Sequence, residues 1–187
     1  MKKHVSTKDQ RVVFFFDVDN TLLDNDRVVD DVRKFLRQEV GAQKCGRYWR
    51  IFEARRHSLG YADYLGALQR YRRDYPHDLH VLQISRFLID YPFENRVFPK
   101  AFSAIRHVQR WGKAALLSDG DVVFQPHKIQ QAGLAKAVKG RVLIYVHKQK
   151  ELADVAAKFP ANHYVVIDDK LHVLAAIKRR LLNASRS

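Results

Sequence analysis

Cysteine is almost absent: one residue, Cys45, in 187, with a single methionine, eight glycines and five prolines. One thiol excludes an internal disulfide framework and leaves too few sulfurs for a cysteine-based zinc site. By itself Cys45 reads as a small, semi-buried side chain in a helical region. The nine histidines show no metal-ligand spacing. No low-complexity run and no internal repeat is present, and 187 residues suffice for one domain, or one domain with a sizeable insertion. No segment approaches the ~20 apolar residues of a membrane span. The apolar run at 12–16 is shorter than a signal core of ~7–15 residues and leads straight into Asp17, while the basic first ten residues have no apolar run behind them. A cytoplasmic protein without membrane association is therefore expected. Nothing in the sequence specifies an oligomeric state.

Acidic residues are also scarce, 20 against 34 Lys and Arg, for a formal charge of +14. Bases are densest at 44–56, 136–150 and 178–186. Such a balance favours anionic partners: phosphorylated metabolites, nucleic acid or acidic surfaces. A solvated basic surface with no specific partner explains the charge alone equally well. Against this background, Phe14-Phe15-Phe16-Asp17-Val18-Asp19-Asn20-Thr21-Leu22-Leu23-Asp24 stands out. The most apolar run ends in a cluster of carboxylates with no base among them, and a bound cation is the natural compensation.

Four short β-rich runs lie at 12–16, 114–117, 142–146 and 164–167. Their continuous apolar character fits strands buried on both faces. Between and after the later runs, helical spacing recurs: Phe102, Ile105, Val108 and Trp111; Val122, Ile129 and Leu134; Leu152, Val155, Ala156 and Phe159; Leu171, Leu174, Ala175 and Ile177. Alternating strands and helices imply parallel βαβ units. From 25 to 96 the pattern is helical only, at 28–40, 48–59, 61–71 and 79–89, and the segment exits through Tyr91-Pro92 and Val97-Phe98-Pro99. The expected organisation is an α/β core at 11–24 and 97–187, interrupted by an all-helical domain at 25–96.

In open parallel sheets, ligands bind beyond the carboxyl ends of the strands. Here those ends read Asp17-Val18-Asp19-Asn20-Thr21, Ser118-Asp119-Gly120-Asp121, His147-Lys148 and Asp168-Asp169-Lys170. Alone, Asp119 and Asp121 read as turn and helix-cap residues.

Together these strand ends resemble the haloacid dehalogenase superfamily of phosphatases and phosphotransferases. Asp17-Val18-Asp19-Asn20-Thr21 is similar to its nucleophile motif, Leu117-Ser118-Asp119 to its second, Lys148 to its third and Val166-Ile167-Asp168-Asp169 to its acidic fourth. The resemblance implies a Rossmann-like parallel sheet with a helical cap inserted after the first motif. It implies that Asp17 takes the phosphoryl group, and that Asp19 protonates the leaving oxygen and later activates water. It implies that Ser118 and Lys148 meet phosphoryl oxygens, with Thr21 and Asp119 in the substrate set. Mg²⁺ is the implied cofactor, held by Asp17, a backbone carbonyl of Val18 or Asp19, and the last motif, with Asp169 ligating directly and Asp168 in support. Lys128 and Lys150 compete with Lys148 for the phosphate-neutralising role. Lys148 is expected to open a helix, where a cation is disfavoured by ~0.3–1 kcal/mol unless an anion binds. Dehalogenases of the superfamily lack the second Asp of the first motif, so Asp19 favours phosphoryl chemistry on a small phosphorylated metabolite.

The segment 47–57 interleaves aromatics with bases. Tyr48, Ile51, Phe52 and Leu59 fit an inward face, while Arg47, Arg50 and His57 lie roughly on another. The same features suit a basic nucleic-acid-binding or catalytically inactive protein retaining the fold, the alternative function. No strand is read after 164–167, so in the expected order 3-2-1-4 the strand bearing Asp168 and Asp169 is an edge.

Overall fold

The four apolar runs form four parallel strands: β1 (Val12–Phe16), β2 (Lys113–Asp119), β3 (Val142–Tyr145) and β4 (His163–Ile167). The structure, a computed structural model, describes residues 12–184. The sheet order is β3-β2-β1-β4, with β1 parallel to both β2 and β4 and β3 parallel to β2. This is an α/β fold, and β4 is an edge of the described sheet.

Alternation within the runs divides the core in two. Phe14, Phe16, Ala114 and Leu116 face the larger cluster, while Val13, Phe15, Ala115 and Leu117 face the smaller one with Val155. Both sheet faces are covered, which is why the strands read as unbroken apolar runs.

After β1 the chain runs through α1 (Asn25–Leu59), α2 (Tyr64–Asp74), α3 (His80–Ile89) and a 3-10 turn at Phe93–Arg96. Helix α1 spans both 28–40 and 48–59 and is broken only at Gly41, whose φ of 79° and ψ of 169° are non-helical. Helix α2 starts at Tyr64 rather than 61, because Asp63 caps it by accepting from Gly66 N at 2.8 Å. Tyr48, Phe52, Tyr64, Tyr71 and Phe93 bury an aromatic core here that is continuous with the first sheet face.

The remaining helices are α4 (Ala101–Val108), α5 (Phe124–Gln131), α6 (Leu134–Ala137), α7 (Leu152–Lys158) and α8 (Leu171–Ala184). Several apolar residues expected inward lie outward. Trp111 is 70% exposed because α4 ends at Val108. Val122 precedes α5 and is 88% exposed, and in α8 Val173 and Ile177 are buried rather than Leu171. Among the described residues, no helix is long and apolar enough to cross a membrane. Residue 11, the first of the expected α/β core, the ten residues before it and residues 185–187, which include the end of the basic stretch 178–186, lie outside the described residues.

Candidate active site

Strand β1 delivers Asp17 to the carboxyl edge of the sheet, where its N–H donates to Ile167 O at 2.8 Å and ties it to the end of β4. The chain then doubles back: Val18 O accepts from Leu22 N at 2.9 Å and Leu23 N at 3.0 Å. The reversal places Asn20 at φ 59°, a left-handed conformation that Asn adopts more readily than most non-glycine residues. Asn20 Oδ1 then accepts from Asn25 N at 2.9 Å and Asp26 N at 3.2 Å, fixing the start of α1.

At the end of β2, Ser118 is buried and its Oγ accepts from Gln125 Nε2 at 2.9 Å. Gly120 is needed for this approach, since a Cβ there would fall 2.4 Å from Gln125 Cβ. Asp119 Oδ1 accepts from Lys148 N at 2.7 Å and so anchors the third strand end, and Asp121 Oδ1 accepts from Val123 N and Phe124 N at 2.8 and 2.6 Å as α5 opens. Lys148 opens a three-residue 3-10 turn (Lys148–Lys150) rather than the expected α-helix.

The buried Lys148 ammonium donates to Asp17 Oδ1 and to Leu117 O at 3.1 Å, and lies 2.7 Å from Asp168 Oδ2 in an ion pair not aligned as a hydrogen bond. Burial alone would lower its pKa, but Asp17 and Asp168 outweigh burial and hold it above the ordinary lysine value. Asp169 is exposed to the cavity, and its N–H donates to Thr21 Oγ1 at 3.1 Å, linking the first and fourth strand ends.

Oxygens of Asp17, Asp168 and Asp169 lie within 4.8 Å of one another. Desolvation pushes Asp17 up to about 7, with Asp168 and Asp19 adding and Lys148 opposing. Burial also raises Asp119 and Asp169, the latter eased by Lys170. Asp17 Oδ2 is buried with no hydrogen-bond partner among the described residues. Three carboxylates thus converge where the Lys148 ammonium contacts two of them, Asp17 and Asp168. Their hard oxygens, of which Asp17 Oδ2 and Asp168 Oδ2 are buried without a hydrogen-bond partner among the described residues, fit a divalent cation.

The Asp19 carboxylate stands apart from this trio. It faces α5, with Oδ1 accepting from Lys128 Nζ at 2.7 Å and Oδ2 from Gln125 Nε2 at 3.4 Å. Lys128 is fully buried, donates also to Asn25 Oδ1 at 3.1 Å and lies 5.7 Å from the Phe124 ring centroid. Of the three competing lysines, Lys148 meets Asp17 and Asp168, Lys128 meets Asp19, and Lys150 closes the turn that Lys148 opens.

Gln125 and Asn25 were not anticipated from sequence. A signal for Gln125 exists: it shares a helix face with Lys128 at i, i+3, one turn beyond the strand that carries Ser118. A cavity of about 790 Å³ opens over the site, with Asp19, Asp119 and Asp169 on its sheet side and Arg33, Arg56 and His57 on α1.

Residues 12–179 match the family haloacid dehalogenase-like hydrolase. The fold is similar to the crystal structure of a haloacid dehalogenase-like hydrolase from Burkholderia xenovorans LB400. Identity is 57% over 91% of this chain and 80% of that one, with a TM-score of 0.88. A HAD-hydrolase from Bacillus subtilis bound to magnesium shares the fold at 16% identity, covering 90% of this chain and 84% of that one, with a TM-score of 0.58. The L-2-haloacid dehalogenase from Xanthobacter autotrophicus shares it at 17% identity, covering 81% and 68%, with a TM-score of 0.50. No curated protein matches the chain.

Proposed function

From the premise that the chain belongs to the haloacid dehalogenase-like hydrolases, we propose that it is a Mg²⁺-dependent phosphohydrolase acting through an aspartyl-phosphate on Asp17. The observation that carries this reading is Asp19, a second carboxylate two residues past the nucleophile that lines the cavity. A halide leaves without a proton, whereas an alkoxide leaving group needs one, so a positioned acid has work to do only in phosphoryl transfer.

In the proposed reaction, a carboxylate oxygen of Asp17 attacks phosphorus. The bond from phosphorus to the leaving oxygen breaks, and that oxygen takes its electron pair and a proton from Asp19. Asp19 then accepts a proton from water as the water oxygen attacks phosphorus, and the bond to Asp17 breaks to regenerate the carboxylate. Lys148 grips Asp17 Oδ1 and orients the carboxylate. Ser118, held by Gln125, and the Lys148 charge serve the phosphoryl oxygens. Lys128 engages Asp19 Oδ1 and leaves Oδ2 with only the 3.4 Å contact from Gln125 as the oxygen that exchanges the proton. Asp17 and Asp169, with Asp168 in support, would hold Mg²⁺, which when bound supplies positive charge for the phosphoryl oxygens.

Residues 25–96 act as the cap that selects a small phosphorylated metabolite. Both connections to the core run side by side: Asp24 N donates to Arg96 O at 2.8 Å and Phe98 N to Leu22 O at 2.9 Å. The test is release of phosphate from an aryl phosphate beside release of halide from a 2-haloacid, with Mg²⁺ and with chelator. The expected result is Mg²⁺-dependent phosphate release, abolished in Asp17→Asn and reduced ~10²–10⁴-fold in Asp19→Asn, with unchanged circular dichroism. Halide release without phosphate release overturns the reading.

A further inference from the structure

A second cavity, about 540 Å³, lies between α1 and α2 and shares no lining residue with the catalytic one. Arg50, Ala54 and Ser58 of α1 face it, whereas Glu53, Arg56 and His57 face the catalytic cavity. At 3.6 residues per turn, these two sets occupy different sides of one helix.

Five arginines line the groove: Arg47, Arg50 and Arg55 from α1, and Arg70 and Arg73 from α2. Two are fixed in place. Arg47 Nε donates to Asp74 Oδ2 at 2.7 Å, and Arg55 Nε to Asp63 Oδ2 at 2.9 Å. Asp63 is itself immobilised as the cap of α2. Among the described residues, no carboxylate forms an ion pair with Arg50, Arg70 or Arg73. Arg70 and Arg73 only add, from farther off, to the effect by which Arg47 holds the Asp74 carboxyl below its usual range. Like charges gathered around one groove repel one another, and an anion placed among them removes that repulsion.

The anion's chemistry follows from the walls. Guanidinium forks match phosphate oxygens in bidentate geometry, better than a point charge does. Ile51, which is buried, and Leu59 give the groove an apolar strip beside the arginines. The volume falls in the range of small-molecule pockets, about 300–1,000 Å³. We propose that this groove is a binding site, separate from the catalytic one, for a nucleotide-class ligand: polyphosphate on the arginines, with a planar apolar part on the Ile51–Leu59 strip.

The experiment is calorimetric titration with ATP in the presence of chelator, on the native protein, Arg50→Gln/Arg73→Gln and Asp17→Asn. Arg50 and Arg73 are exposed, so their replacement leaves the fold intact, which circular dichroism checks. Binding that weakens at least about tenfold in the double variant and persists in Asp17→Asn is the expected result. It holds whether or not the protein hydrolyses phosphate esters. Absence of ATP binding at millimolar concentration, or equal binding in the double variant, overturns the proposal. So does loss in Asp17→Asn alone, or binding of single-stranded oligonucleotide without ATP binding.

Discussion

Lys148→Met removes the ammonium that meets the Asp17 and Asp168 carboxylates. Both Lys148 and Asp17 are buried, and the Asp168 side chain has no exposed surface, so water cannot replace the lost partner. Removing one member of a buried ion pair costs about 3–5 kcal/mol because the other charge is left uncompensated. For a domain of this size each kcal/mol shifts the melting temperature by ~2–4 °C, so a fall of about 6–20 °C is expected in chelator. The loss depends on pH with a definite sign. Asp17 already titrates near 7, above its unfolded value, so the folded state binds an extra proton between those values and stability falls as pH rises through that window. Lys148 opposes this shift, and removing it moves the folded pKa higher still. The deficit of the variant relative to the native protein therefore grows as pH rises above 7. Urea unfolding followed by circular dichroism at pH 6, 7 and 8 measures it. A deficit under about 1 kcal/mol, the scale of exposed pairs, or one that shrinks with rising pH, refutes the reasoning.

Two further outcomes follow from the same geometry. Mg²⁺ at 100 times its dissociation constant stabilises the native protein by about 2.7 kcal/mol, read as a rise in melting temperature that Asp169→Asn diminishes and that Na⁺ at equal ionic strength does not reproduce. Away from the site, Asp78 Oδ2 accepts from Lys44 Nζ at 2.8 Å and Tyr71 OH at 2.7 Å, and Oδ1 from His80 N at 3.1 Å. Burial alone would raise its pKa, but these partners hold it well below the carboxylate range. Its contribution is therefore present above the unfolded value of about 3.9 and lost as pH falls below it. Asp78→Asn should cost ~1.5–3 kcal/mol at pH 7 and show a shallower acid loss than the native protein in urea titrations.

The strands were legible in sequence because both sheet faces are buried, so that Phe14 and Phe15 are both apolar though they point opposite ways. The strand ends were legible because a carboxylate directly after such a run has few structural reasons to be there. Trp111 misled because its spacing continues that of Phe102, Ile105 and Val108. The chain instead turns at Gly112, where a Cβ would lie 2.2 Å from Val12 O. The patterns at 28–40 and 48–59 belong to one helix in which only Gly41 leaves helical geometry, and Cys45, read as a semi-buried side chain in a helical region, is buried in the turn that follows. Gln125 and Lys128 escaped notice as partners of Asp19 because those contacts span 106 and 109 residues of chain and arise only when α5 packs over the sheet edge.

The central claim is that Asp17 carries the phosphoryl group. Acid-quenched protein turning over an aryl phosphate with Mg²⁺, digested and mapped by mass spectrometry, tests it most directly. The account predicts a hydroxylamine-sensitive phosphoryl group on the peptide containing Asp17, absent in Asp17→Asn and absent in chelator. Phosphate release at an undiminished rate from folded Asp17→Asn, or steady turnover with the phosphoryl group on another residue, would contradict it.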